Sequence, residues 1–197
     1  MSEIKKKSFG ATLLGEWNTQ TIVGVALGAA LFGVLMVYAG IPVFTNTKLT
    51  PSYIVPVIVG ALFGPLPAGL AAFLGNVFAD LLGGWGFWFD WSIGNFFIGF
   101  IVGLLPFYGA EIKKGVFGLK QAIIYAVLAI VGVAFSIGLV TPLLTLLFFG
   151  GELEITYAQA QAAVISDSSI LIVVGLPILF ALAARYRKRQ GLKKEEN

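Results

Sequence analysis

The sequence predicts an all-α integral membrane protein, a six-helix bundle with both termini in the cytoplasm. Three observations lead there. Of 197 residues, 58% are hydrophobic and 12% charged, against roughly 25% charged in a soluble domain. Several apolar runs reach or approach the roughly 20 residues that a spanning helix needs. The basic residues flank those runs in clusters: Lys5–Lys7, then Lys113, Lys114 and Lys120, then Arg185, Arg187, Lys188, Arg189, Lys193 and Lys194, with only Lys48 elsewhere. Clusters at the ends of apolar segments mark cytoplasmic loops. The net charge of +3 therefore reports topology, and no nucleic-acid partner is expected.

Taken in order, the chain forms a single transmembrane domain over 1–197. Residues 1–16 are a cytoplasmic head. The first span runs about Asn18–Ala39; its apolar run exceeds the roughly 7–15 residues of a signal-peptide core and is read as a retained helix. Gly40–Ser52 (GIPVFTNTKLTPS) is a polar loop rich in turn formers. Two short apolar pieces follow, about Tyr53–Phe63 and Ala68–Leu82, joined by Gly64-Pro65-Leu66-Pro67. At 1.5 Å per residue they reach only about 17 and 22 Å, so they are either short tilted spans or a re-entrant hairpin. A span from Ser92 to Tyr108, a basic loop Gly109–Leu119 and a long run Gln121–Phe149 interrupted at Thr141-Pro142 come next. An acidic loop, Gly150–Ala163, precedes the last span, about Val164–Ala184, and residues 185–197 are a basic cytoplasmic tail. This arrangement puts every basic cluster inside and leaves Asp80, Asp90, Glu152, Glu154 and Asp167 at the outer face.

The chain has no Cys and no His. Thiol nucleophiles, thiolate zinc sites and imidazole acid–base chemistry are thereby excluded. No nucleophile–base constellation or phosphate loop is visible, so an enzyme is not expected, nor a cofactor of its own. Asp80 and Asp90, ten residues apart, give only a weak signal for a hard cation, and no metal is expected.

The stretch FADLLGGWGFWFDW, residues 78–91, stands out. Trp85, Phe87, Trp88, Phe89 and Trp91 are aromatic, and Asp80 and Asp90 flank them. An interfacial belt places one or two aromatics per helix end; five in one turn, loosened by Gly83, Gly84 and Gly86, suit the wall of a pocket for a flat ring. Asn76 and Asp80 are four apart and share a helix face. Trp91 and Asn95 repeat that spacing on the next helix. Polar side chains inside membrane segments usually face a bundle interior or a wet cavity. Asn76, Asp80, Asp90 and Asn95 can read the polar edge of a ring that Trp85, Phe87, Trp88 and Trp91 stack against. Independently, Gly24, Gly28, Ala26 and Ala30 put small residues four apart on the first helix, where another backbone can approach closely. That face serves either packing within the chain or docking to a separate membrane subunit.

The stretches GVALGAALFGVL (24–35), ALFGPLPAGLAAFLGNVFADLL (61–82), DWSIGNFFIGFIVGLL (90–105) and KKGVFGLKQ (113–121) resemble the substrate-binding (S) components of energy-coupling-factor (ECF) vitamin transporters, in particular a small riboflavin-type group. The resemblance spans nearly the whole chain. It implies a vitamin or vitamin-precursor site near the outer face of the cell membrane, a transmembrane coupling subunit and two ATPases as partners, and import powered by those ATPases. It implies that Gly24, Ala26, Gly28 and Ala30 face the coupling subunit, and that the loop Ile41–Ser52 covers the site. Asn46 in that loop and Tyr53 just after it complete the candidate set. Two other classes remain open on the residues alone: a stand-alone secondary transporter of a small solute, coupled to protons or sodium through Asp80, and a membrane scaffold whose aromatics only anchor it.

Overall fold

The structure, a computed structural model, describes residues 9–45 and 47–195. The candidate Asn46 and the basic cluster Lys5–Lys7 lie outside the described residues. A short helix α1 (Phe9–Leu14) precedes α2 (Thr19–Tyr38). Asn18 caps α2: its Oδ1 accepts the backbone N–H of Thr21 at 3.0 Å, satisfying one of the free donors at the helix start.

The expected loop after α2 contains an antiparallel hairpin, β1 (Ile41–Phe44) and β2 (Thr47–Leu49), with Ile41 opposite Leu49 and Pro42 opposite Lys48. This strand pair interrupts an otherwise helical chain. Its β-branched and aromatic residues, Ile41, Val43 and Phe44, favour extended backbone.

Helix α3 (Ile54–Phe63) is joined to α4 (Pro65–Gly83) by Gly64 alone, at φ +99°. Only glycine adopts that conformation without strain. The expected four-residue link is thus corrected: Pro65 and Pro67 lie in the first turn of α4, where a missing N–H leaves no bond unmade. With 19 residues, α4 extends about 28 Å and is not the short piece the prolines suggested. Helix α3, with 10 residues, remains short.

Helix α5 (Phe89–Val102) starts directly after the aromatic turn, and Asp90 sits in its first turn. Helices α6 (Leu119–Phe135) and α7 (Thr141–Phe148) form one continuous rod through a π-helical turn at Ser136–Val140. Likewise α8 (Leu153–Ile170) continues through a π turn at Leu171–Gly175 into α9 (Leu176–Glu195). Each π turn lies just before a proline, Pro142 or Pro177. A proline ring clashes with the carbonyl of the preceding turn, and widening that turn relieves the clash without ending the helix.

The expected acidic loop Gly150–Ala163 is corrected here. Helix α8 begins at Leu153, with Glu154 in its first turn, and only residues 149–152 make the connection. Negative charge at a helix N-terminus complements the helix dipole, so the glutamates that resemble a loop instead start a helix. Among the described residues, five helical stretches are long and apolar enough to cross a membrane: Thr19–Tyr38, Pro65–Gly83, Phe89–Tyr108, Leu119–Phe148 and Leu153–Gly191, with Pro51–Phe63 shorter. The chain is therefore an all-α multi-pass membrane protein apart from its small hairpin.

Helix α4 packs closely between α2 and α5. A Cβ on Gly75 would lie 2.6 Å from the Cβ of Phe32 on α2, so the absence of a side chain sets that approach. The core around this sandwich includes Phe32, Ala71, Ile98, Tyr125 and Leu171, all buried. Charge separates by ends. At one, the Arg187 guanidinium clasps the Gly115 carbonyl (Nη2 at 2.7 Å, Nε at 3.2 Å), Gln190 donates to the Lys113 carbonyl at 2.9 Å, and Lys113 lies over the Phe63 ring. The other end gathers the hairpin, the aromatic turn and the α7–α8 connection.

Candidate functional site

Between the hairpin, the aromatic turn and α8 lies a cavity of about 660 Å³. Pockets for small organic ligands usually fall between roughly 300 and 1,000 Å³. Of the residues expected from the sequence, Tyr53, Asn76, Asp80, Trp85, Trp88 and Trp91 line it.

The polar part of its wall is built by a chain of hydrogen bonds across α4 and α5. Asn95 Nδ2 donates to Asn76 Oδ1 at 2.9 Å. Asn76 Nδ2 in turn donates to Ser92 Oγ at 3.1 Å and to Asp80 Oδ2 at 3.3 Å. Asp80 Oδ2 also accepts the backbone N–H of Trp88 at 2.9 Å. The carboxylate thereby fixes the aromatic turn against the end of its own helix. Trp88 Nε1 closes the turn by donating to the Trp85 carbonyl at 2.9 Å. Gly84 and Gly86, both at positive φ, let the backbone make that tight path.

Three expected residues do not line the cavity. Asn95 is fully buried behind Asn76. Asp90 is also fully buried; the Thr145 hydroxyl donates to its Oδ2, and Thr141 Oγ1 donates to its backbone carbonyl at 3.4 Å. Phe87 is exposed and leans on Phe89. Asn95 and Asp90 thus support the wall from behind, and Phe87 stands outside it.

Several lining residues were not anticipated: Lys48 on the hairpin, Thr145 and Phe149 at the end of α7, and Thr156, Gln159 and Asp167 on α8. Phe149 packs on Trp88 with ring centroids 4.7 Å apart, extending the aromatic wall across to a second helix. Ile155, Gln159, Ala163 and Asp167 recur every four residues along one face of α8. At 1.5 Å per residue that row covers about 18 Å, from Ile155, near the exposed mouth, to a floor at Asp167, which is only 2% exposed. The four-residue spacing is the signal that a helical reading of Gly150–Ala163 exposes.

The hairpin closes over the mouth and is held on two sides. Lys48 Nζ sits 4.6 Å from the Trp85 ring centroid and donates to the Val37 carbonyl at 3.3 Å. Gln159 Nε2 donates to the Thr45 carbonyl at 3.2 Å. Away from the cavity, the small residues of α2 divide between two faces. Gly28 is buried against Val55, Val59 and Ala71, and Gly24 lies beneath the Phe63 ring. Ala26 and Ala30 are exposed, next to the exposed Val23, Leu27 and Val34.

Comparison of the sequence with known proteins gives the chain a family. The family described as ECF-type riboflavin transporter, S component, matches residues 16–184. A UPF0397 protein of Aliivibrio fischeri (strain MJ11) is 34% identical over 178 residues, covering 89% of this chain and 96% of that protein. UPF0397 proteins of Aliivibrio salmonicida (strain LFI1238) and Vibrio vulnificus (strain YJ016) are each 35% identical, over 91% and 89% of this chain and 98% and 97% of theirs. No solved structure matches the chain at a significant level.

Proposed function

The chain belongs to the family of ECF-type riboflavin transporter S components, and from that premise we propose that it captures a flat, ring-bearing vitamin or vitamin precursor in the cavity beneath its hairpin. Membership makes it a non-enzymatic subunit of a vitamin transporter in a membrane. The observation that carries the ligand reading is the cavity of about 660 Å³ walled by Trp85, Trp88, Trp91 and Phe149, with Asn76 and Asp80 beside them. Aromatic faces hold a ring, and a few placed polar groups set its orientation.

In this reading the protein is a six-span bundle of the cell membrane with both termini cytoplasmic. Among the described residues, the gathering of Lys113, Lys114 and Arg187 at the end opposite the cavity, with Lys48 the exception, supports that orientation. The cavity then faces outward, and the hairpin acts as its cover. A coupling subunit and two ATPases complete the importer. The exposed Ala26–Ala30 face of α2 is the docking surface, because Gly24 and Gly28 are already engaged by α3 and α4.

The test is mass spectrometry, with an absorbance spectrum, of small molecules released from the detergent-purified protein. A stoichiometric ring-bearing compound is the expected result. A protein that purifies empty and binds no member of a vitamin panel would overturn the reading. Co-purification with an ATPase pair tests the assembly; solute uptake by this chain alone in liposomes, driven by an ion gradient, would replace it with ion-coupled transport.

A further inference from the structure

Three carboxylates border the cavity, Asp80, Glu152 and Asp167, against one cation, Lys48. They are not equivalent. Asp80 holds the Trp88 N–H and Asn76 through one oxygen, Oδ2. Glu152 is exposed to solvent at the mouth. Lys48 is also at the mouth, engaged with Trp85 and the Val37 carbonyl. Asp167 lies at the floor, 2% exposed, with Ser166 Oγ donating to its Oδ1 at 3.3 Å. Its other oxygen, Oδ2, is buried and makes no well-formed hydrogen bond, and the Tyr53 hydroxyl is the neutral donor that faces this carboxylate. Among the described residues no Lys or Arg pairs with it.

A buried acceptor left unsatisfied is destabilising, and such groups in native proteins usually have a partner supplied from elsewhere. Asp167 itself is one of the residues that line the ligand-sized cavity. The cavity's other walls include the aromatic side chains of Tyr53, Trp88, Trp91 and Phe149. Aromatic faces carry negative potential, and a cage of them beside an acid is the arrangement that recognises organic cations. A neutral ring would find stacking surface there and leave the floor acceptor short of positive charge.

We infer that the ligand presents a positively charged nitrogen to Asp167 at the cavity floor, so that the site selects cationic ring compounds over neutral ones. The inference rests on the reading of the cavity as the ligand site and specifies what that site prefers.

Isothermal titration calorimetry on the full-length, detergent-purified protein in potassium buffer at neutral pH tests it with four probes. Thiamin and pyridoxamine are cationic; pyridoxine, which differs from pyridoxamine by the amine, and riboflavin are neutral. A cationic probe is expected to bind at least tenfold more tightly than the neutral ones. The variant Asp167→Asn should lower that affinity on the order of 100-fold, as loss of a buried charge partner does, and Asp167→Glu should recover part of it. The comparison among probes uses the native protein, so the test stands even where a variant fails to fold.

Tight binding of riboflavin or pyridoxine, with the cationic probes weaker, overturns this inference while leaving the ligand cavity intact. So does cation binding unchanged in a folded Asp167→Asn protein. Silence from all four probes, or thermal stabilisation by sodium alone that Asp167→Asn removes, overturns both this inference and the reading on which it rests.

Discussion

Asn95 and Asn76 meet across the α4–α5 interface: Nδ2 of the first donates to Oδ1 of the second at 2.9 Å. The bond joins a residue hidden from the cavity to one in its wall. Asn95→Leu removes the donor and leaves the Asn76 oxygen orphaned in the core. The expected cost is about 1–3 kcal/mol of stability, read as a lower thermal midpoint in detergent. Ligand affinity should fall less than in Asn76→Ala, because Asn95 supports the wall without reaching the ligand. Equal effects of the two substitutions on affinity would contradict this division.

Asp80 is expected to matter through the aromatic turn. Its Oδ2 holds the Trp88 N–H, and Asp80→Ala frees that turn while removing a polar group from the cavity. Trp88→Ala removes the ring packed on Phe149. Each substitution should lower ligand affinity by at least tenfold, about 1.4 kcal/mol, measured by calorimetry. Retention of full affinity in both would remove the aromatic turn from the site.

The hairpin contacts predict a kinetic phenotype. Lys48→Ala loses the contact over Trp85, worth about 0.5–1 kcal/mol at an exposed site, and Gln159→Ala loses the bond to the Thr45 carbonyl. Both should raise the ligand dissociation rate a few-fold. Stopped-flow fluorescence from the cavity tryptophans would record this, and unchanged release rates in the double variant would mean that the hairpin does not gate the mouth.

Two substitutions on α2 separate packing from docking. A Cβ at Gly28 would already come within 3.1 Å of Val59 Cγ2, so Gly28→Leu overpacks the interior and should cost about 1–3 kcal/mol. Ala30→Leu adds bulk on an exposed face. It should leave folding and ligand binding intact while weakening co-purification with the coupling subunit. Undiminished assembly would move the docking surface elsewhere.

The sequence makes the apolar spans legible wherever hydropathy and charge agree, as in α2, whose ends differ from expectation by a residue. It misleads where one residue type serves two structures. Pro65 and Pro67 suggest a break but begin a helix, because a first-turn proline loses no bond. Glu152 and Glu154 suggest a loop but lie at a helix start, where negative charge is favourable. That second ambiguity hid Thr156 and Gln159, part of the cavity wall. The aromatic turn was visible from composition alone. The opposite wall depends on a helix arriving from sixty or more residues away, which no local pattern encodes.

The π turns at Ser136–Val140 and Leu171–Gly175 bear on how this chain tolerates length change. An α-helix advances about 100° per residue, so an extra residue held in a wide turn sets the angular phase of everything beyond it. In the α8–α9 rod, that phase decides that Asp167 faces the cavity while Arg187, farther along, faces Gly115. Deleting a single residue at Leu171–Gly175 would leave hydropathy and helical content nearly unchanged. It would nevertheless turn one of those two side chains about 100° from its partner. A one-residue gap there is thus a rotation, and sequences that differ in this way present different faces at the two ends of the same helix.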